Sequence, residues 1–186
     1  MKAIVIGGVA AGMSAASKLR RMAPEAQITV YERGSFLSYG ACGLPYYIGG
    51  EIEDKNKLTL QTPQSFKNRF GIDVRVHHEA LEIDVQRKLV RVKNLETGEI
   101  ENLPYDKLVL SPGARPSRPN LPGVEDEAVL TLRTVEDTFH IREFVERRAP
   151  KSAVVVGGGY IGLEMAENLI RLGVQVTILE MAEHVL

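Results

Sequence analysis

One pattern constrains this chain more than any other, and it occurs twice: an apolar strand, a glycine turn, a helix, a second strand, and an acidic residue where that strand ends. In the first occurrence Ala3 to Ile6 is the strand, Gly7-Gly8-Val9-Ala10-Ala11-Gly12 the turn, and Met13 to Met22 the amphipathic helix. The strand from Gln27 to Tyr31 then ends at Glu32, twenty residues beyond Gly12. In the second, Ser152 to Val156 leads into Gly157-Gly158-Gly159-Tyr160-Ile161-Gly162, a helix follows, and the strand from Gln175 ends at Glu180, eighteen residues beyond Gly162. The first glycine of such a turn permits the tight bend, the second lets backbone approach a pyrophosphate, and the third lets helix pack on strand. The acid accepts hydrogen bonds from a ribose. A lone glycine motif says little, but the five parts in order predict a dinucleotide-binding fold, and their repetition predicts two in tandem. Val9 stands at the second glycine position of the first turn.

Helical spacing predicts that Ala11, Ala15, Leu19 and Met22 face the sheet, and that Ser14, Lys18 and Arg21 form a polar stripe on the solvated side. In the second helix Ile161, Met165, Leu169 and Leu172 fall on one face. Between the two patterns, Thr62-Pro63 announces a helix to about Phe70, with Thr62 as cap and Pro63 as first helical residue. From Val74 to Leu103 alternation with turns near Gln86-Arg87 and Glu96-Thr97-Gly98 predicts a small antiparallel meander. His77 and His78 at its start point to opposite faces, a poor metal pair, and are expected at the surface. No metal site is expected. Asp106 to Leu110 is a further strand. The passage Ser111-Pro112-Gly113-Ala114 through Pro116, Pro119 and Pro122 reads as a domain crossing, and a helix from about Val135 to Arg147 follows it. The expected division is therefore 1–113 and 114–186, an α/β chain of two Rossmann-like folds with a β insert. One strand, helix and strand cannot close a doubly wound sheet, so the second domain is expected to be truncated here and the chain to be the front part of a longer polypeptide.

A net charge of −1 provides no field for nucleic acid or an anionic membrane. No run of eighteen apolar residues is present, and the chain enters a strand at once without a signal-peptide pattern, so a cytoplasmic protein is expected. The single cysteine, Cys42, excludes an internal disulfide or a CxxC pair. It lies in Ser38-Tyr39-Gly40-Ala41-Cys42-Gly43-Leu44-Pro45-Tyr46-Tyr47. Pro45 places a helix start close to it, and unpaired amides at a helix start favour a thiolate. The competing reading is an inert, buried small hydrophobe.

Two dinucleotide folds with a cysteine segment after the first and an antiparallel insert resemble the flavin-dependent pyridine nucleotide-disulfide oxidoreductases. The resemblance covers the whole chain. It implies that FAD meets the first turn, Gly7, Gly8, Val9, Ala10, Ala11 and Gly12, together with Glu32, Arg33 and Cys42, with Ser111, Pro112 and Gly113 closing over it. It places a nicotinamide dinucleotide on Gly157, Gly158, Gly159, Ile161, Gly162 and Glu180. Tyr160 matches the aromatic residue that shields the flavin, and Glu164 the acid beside the hydride-transfer site. Relatives with a dithiol carry a second cysteine five residues after the first, where this chain has Tyr47.

The cysteine segment is similar to that of single-cysteine coenzyme A disulfide and persulfide reductases, which implies Cys42 and Ser38 at the reacting centre and a coenzyme A moiety on Ser14, Lys18, Arg21 and Ala41. Lys67 and Arg69 are weaker candidates on charge alone. Oxidases and peroxidases of the branch place a histidine in the first turn, where this chain has Ala10, and the turn has Ala11 where a glycine is usual. The expected activity is NADH-dependent reduction, through FAD and Cys42, of a coenzyme A disulfide or related persulfide; NADPH use is a lesser alternative, because Glu180 would repel its 2′-phosphate. An NADH oxidase or peroxidase cycling a sulfenic acid, and a non-catalytic redox sensor, are the other readings. The resemblance also implies a homodimer.

Overall fold

The structure is a computed structural model that describes residues 1–186, the side chain of Leu60 excepted. In chain order the elements are β1 (Lys2–Ile6), α1 (Ala10–Met22), β2 (Gln27–Tyr31), β3 (Leu37–Tyr39), α2 (Leu44–Ile48), β4 (Thr59–Gln61), α3 (Pro63–Phe70) and β5 (Asp73–Arg75). They continue with β6 (His78–Asp84), β7 (Leu89–Asn94), β8 (Ile100–Pro104), β9 (Lys107–Leu110), α4 (Val135–Arg148), β10 (Ser152–Val156), α5 (Tyr160–Arg171) and β11 (Gln175–Leu179). They gather in two compact units, Met1–Tyr39 with Thr59–Ala114, and Gly40–Leu58 with Arg115–Leu186. The stretch from Gly40 to Leu58, which the sequence reading assigns to the first domain, thus packs with the second unit.

The first unit is a parallel sheet in the order β5-β2-β1-β9. Alternation along β1 sends Ala3 and Val5 to one face, where Met13 and Ala16 of α1 and Phe66 of α3 complete a buried cluster. Ile4 goes to the other face and meets Val90 and Val92 of the meander β6-β7-β8. Both faces of the sheet are therefore covered. Thr62 caps α3 through the Ser65 amide, Pro63 opens the helix, and Gly71 closes it in the left-handed region.

Three expectations are corrected here. The helix α1 begins at Ala10, three residues early, because Gly12 lies within its first turn rather than before it. Its buried residues are Gly12, Met13 and Ala16, whereas Ala11 and Met22 are exposed: the helix approaches the sheet on the side that lacks a Cβ at Gly12. Val74 belongs to β5, which pairs parallel with β2, so the meander starts at His78. The histidines are half-buried; His78 Nδ1 lies 2.6 Å from the Val76 carbonyl and its ring 5.9 Å from that of Tyr31.

The second unit holds the parallel pair β10-β11 with α5 packed on it. Met165, Leu169 and Val174 join Ile141 of α4 and Ile48 of α2 in its core. Ile161 and Leu172, expected on the buried face of α5, are 52% and 44% exposed, since the stripe that packs is Met165, Ala166 and Leu169. Among the described residues no helix is long and apolar enough to cross a membrane, and no group of three metal-ligating side chains comes together.

Candidate dinucleotide turns and cysteine segment

At the end of β1 the chain turns at Gly7 with φ +103°, and its N–H donates to the Tyr31 carbonyl at 2.9 Å. A Cβ on Gly7 would fall 2.0 Å from the Ser111 carbonyl oxygen, and one on Gly12 only 1.8 Å from that of Gly7. Neither position has room for alanine. The Gly8 N–H donates to Glu32 Oε2 and the Gly34 N–H to Oε1, both at 2.7 Å, so the acid is braced at the tip of β2. No side chain caps α1, so the amides of its first turn are left without an intrahelical or capping partner. Ser111, after β9, binds the Ile6 carbonyl through its N–H at 2.8 Å and its hydroxyl at 3.0 Å. Pro112 and Gly113 beyond it are exposed, as is Arg33, whose guanidinium is 3.6 Å from Glu79. Ser38 donates its N–H to the Gly8 carbonyl at 3.0 Å and has a left-handed φ of +48°, uncommon for a residue with a Cβ.

The second turn repeats this geometry. Gly157 has φ +106° and donates to the Leu179 carbonyl at 2.8 Å. A Cβ on Gly162 would lie 2.0 Å from the Gly157 oxygen. The Gly158 N–H reaches Glu180 Oε2 at 2.6 Å, and Oε1 accepts from Met181 and Ala182 at 2.7 and 2.8 Å. These donors, that of Ala182 foremost, hold the Glu180 carboxyl below its ordinary pKa. Helix α5 starts at Tyr160 after Gly159 without a side-chain cap, and Tyr160 is 75% exposed.

The cysteine segment forms a 3₁₀ turn, Ala41–Gly43, that runs into α2. Leu44, Pro45 and Ile48 are buried and anchor it, while Cys42 is exposed one residue ahead of the cap, Gly43. The expectation of a buried Cys42 does not hold. Tyr46, on α2, is held above its ordinary pKa by the carboxylate of Glu164 first, then by burial and by Glu167 and Glu51. The cysteine segment and the Glu164 turn of α5 therefore meet within one unit.

The whole chain, residues 1–186, matches the model of the pyridine nucleotide-disulphide oxidoreductases. The chain belongs to that family. It is 40% identical over 184 residues to coenzyme A disulfide reductase of Staphylococcus haemolyticus, covering 99% of this chain and 41% of that protein. It also superposes on reduced CoADR-RHD from Bacillus anthracis with a TM-score of 0.96 at 46% identity, covering 100% of this chain and 33% of that one. An NAD-dependent persulfide reductase from A. fulgidus gives 0.94 at 42% identity, covering 100% and 35%. The chain spans about two-fifths of the length of the curated relatives it matches.

Pyridine nucleotide-disulphide oxidoreductases bind FAD and a nicotinamide dinucleotide, and both turns fit such ligands. Each has a glycine where a Cβ would strike backbone, Gly12 in the first and Gly162 in the second, with uncapped helix amides for a pyrophosphate and a fixed acid for a ribose. A carboxylate has about four acceptor positions. Glu32 uses two on the backbone, one per oxygen, and Glu180 uses three, so both retain capacity for a hydroxyl.

Of the remaining residues singled out from the sequence, Ser14, Lys18 and Arg21 are exposed on α1, in the first unit. Ala41 and Cys42 belong to the second. Sequence reasoning missed Tyr46, Asn168 and Arg142. Asn168 is fully buried and donates from Nδ2 to the Glu164 carbonyl at 2.8 Å. Only its polarity amid the apolar stripe of α5 marks it in the sequence.

Proposed function

We propose that this chain supplies the two dinucleotide sites and the reacting thiol of an NADH-dependent reductase of coenzyme A disulfide or a related persulfide. The observation that carries the reading is one exposed cysteine, on a segment anchored by Leu44, Pro45 and Ile48, in a chain with two glycine turns in which a Cβ on Gly12 or Gly162 would strike a carbonyl oxygen. The similarity to coenzyme A disulfide and persulfide reductases supports the acceptor class. The first turn, with Glu32 and Ser111, takes the FAD. The second, with Glu164 and Glu180, takes the nicotinamide dinucleotide, and 1–113 and 114–186 are the corresponding domains. Lys18 and Arg21, with Ser14, hold the phosphates of the coenzyme A moiety.

The sulfur of Cys42 attacks one sulfur of the substrate, forming a mixed disulfide and expelling the first thiolate. Two electrons and a proton then split the mixed disulfide, releasing the second thiol and restoring the Cys42 thiolate. When bound, the two cofactors supply those electrons from NADH. Ser38, four residues before Cys42, orients the reacting thiol. Glu180 selects NADH, because its ionised carboxylate repels the 2′-phosphate of NADPH. A homodimer in the cytoplasm, where a lone thiol stays reduced, completes the reading.

The test is an anaerobic stopped-flow record of the enzyme containing this chain, first with NADH and then with coenzyme A disulfide. Rapid reoxidation of the flavin with two thiols released is the expected result. Reoxidation only by oxygen, peroxide or a persulfide moves the acceptor accordingly. In Cys42→Ser the flavin still reduces with NADH, and disulfide turnover falls by about 10³-fold or more, as on losing a catalytic nucleophile. Full turnover in that variant would refute the role of Cys42.

A further inference from the structure

A five-residue helix cannot hold its own shape in water, because isolated helices are marginal below about 12–15 residues. Helix α2, which continues directly from the Cys42 turn, is that short. Its geometry must come from what packs against it, and within the second unit those elements are α4 and α5. Ile48 is 2% exposed among Ile141 and Leu169, which seats the helix without fixing its direction, since apolar contact is non-directional.

Direction comes from Arg142 of α4. Its Nη1 donates to the Tyr47 carbonyl at 3.0 Å, at the C-terminal end of α2 where a cation is favoured. Its guanidinium also stacks on the Tyr47 ring, 4.4 Å from the centroid, and Phe139 meets that ring edge-on at 5.5 Å. Glu146 fixes the guanidinium in turn, accepting from Nε at 2.9 Å, and this pairing raises the arginine's pKa. From α5, Asn168 lies over Gly49 so closely that a Cβ there would fall 2.1 Å from Oδ1. That oxygen is buried without a hydrogen-bond partner. The C-terminal end of α2 is thus gripped from two sides, and the Cys42 turn projects from its other end.

We infer that Arg142 is a positioning residue for the reacting thiol, acting through the Tyr47 carbonyl and ring to aim the Cys42 turn. The inference deepens the proposed function and rests on it only for turnover. Arg142→Met keeps the apolar stem and removes both the donors and the charge. In the enzyme containing this chain we expect exchange of Cys42 with the small disulfide 2,2′-dithiodipyridine, followed on the Cys42 peptide, to slow about tenfold. The coenzyme A disulfide kcat falls with it, while the rate of flavin reduction by NADH stays within twofold.

Arg142→Lys, whose ammonium still reaches the carbonyl, restores at least half of the parental exchange rate. If Arg142→Met does not fold, Arg142→Gln takes its place with the same thresholds. Exchange within twofold of the parent would overturn the inference. So would a parallel fall in flavin reduction, which signals general loss of packing. Because dithiodipyridine needs no coenzyme A recognition, this arm still reads if the parent ignores coenzyme A disulfide and the proposed acceptor fails.

Discussion

The two glycine turns are near copies in unlike surroundings. Gly7 and Gly157 have φ of +103° and +106°, and the Cβ positions of Gly12 and Gly162 lie 1.8 and 2.0 Å from the oxygens of those residues. Gly8 and Gly158 both donate to the acid at the tip of the next strand. Around the first turn stand four parallel strands covered on both faces. The second sits on two strands, with Val154, Val156 and Leu179 exposed on the face away from α5. The likeness teaches that the turn is set locally, by glycine positions and one braced acid.

The largest effect that can break this comparison is alanine at its tightest points. Gly12→Ala and Gly162→Ala each push a methyl into a carbonyl oxygen, and overpacking of this kind costs about 1–3 kcal/mol, occasionally more. We expect Gly12→Ala at the upper end, with loss of flavin, because β1 and α1 are held between two covered faces and cannot shift. Gly162→Ala should cost a similar amount but spare the flavin, since its methyl enters the turn proposed for the nicotinamide dinucleotide. Urea unfolding and flavin content measure both. Loss of flavin in both variants would show that the two turns do not serve separate ligands.

A smaller effect concerns the acids. Glu180 accepts three backbone donors against two for Glu32, and its pKa is depressed. A depressed carboxyl contributes stability that is present above its unfolded pKa, about 4.3 for a glutamate, and lost as pH falls through the lower folded value. Glu180→Gln has no charge to lose there. Its unfolding profile should be flatter on acidification, while Asp106 of the first unit, held low by the Lys2 N–H, keeps its own slope in both proteins. At neutral pH the same variant should shift the NADPH to NADH ratio of kcat/KM about tenfold toward NADPH, the scale of about 1.4 kcal/mol. An unchanged ratio would remove Glu180 from cofactor selection.

What the sequence made legible follows the same division between local and distant causes. Gln27 to Tyr31, the Thr62-Pro63 cap and both turns were readable because their determinants lie within a few residues of each other. The buried face of α1 was not, because it depends on where the helix crosses the sheet. Val74 alternates as well in a parallel strand as in a meander, and only its partner, Val30, decides between them. The grip of Arg142 on Tyr47 joins residues 95 apart and leaves no motif. Cys42 stood out as the only thiol, whereas its packing partners in the second unit could not be read from the segment itself.

The least effect tests Ala11, which with Val9 is where the first turn departs from the expected glycines. Ala11 corresponds in the second turn to Ile161, and both are exposed in the first turn of their helix. If a large isoleucine stands clear of the backbone there, a methyl does too, and Ala11 does not disturb the dinucleotide approach. Ala11→Gly should therefore leave flavin content unchanged. It should lower stability by no more than the roughly 0.5–1 kcal/mol that glycine costs against alanine inside a helix, and by less in a first turn whose amides have no intrahelical partner. Tighter flavin retention in the glycine variant would mean that the methyl does encroach, and that the two turns, alike in backbone, differ at the ligand.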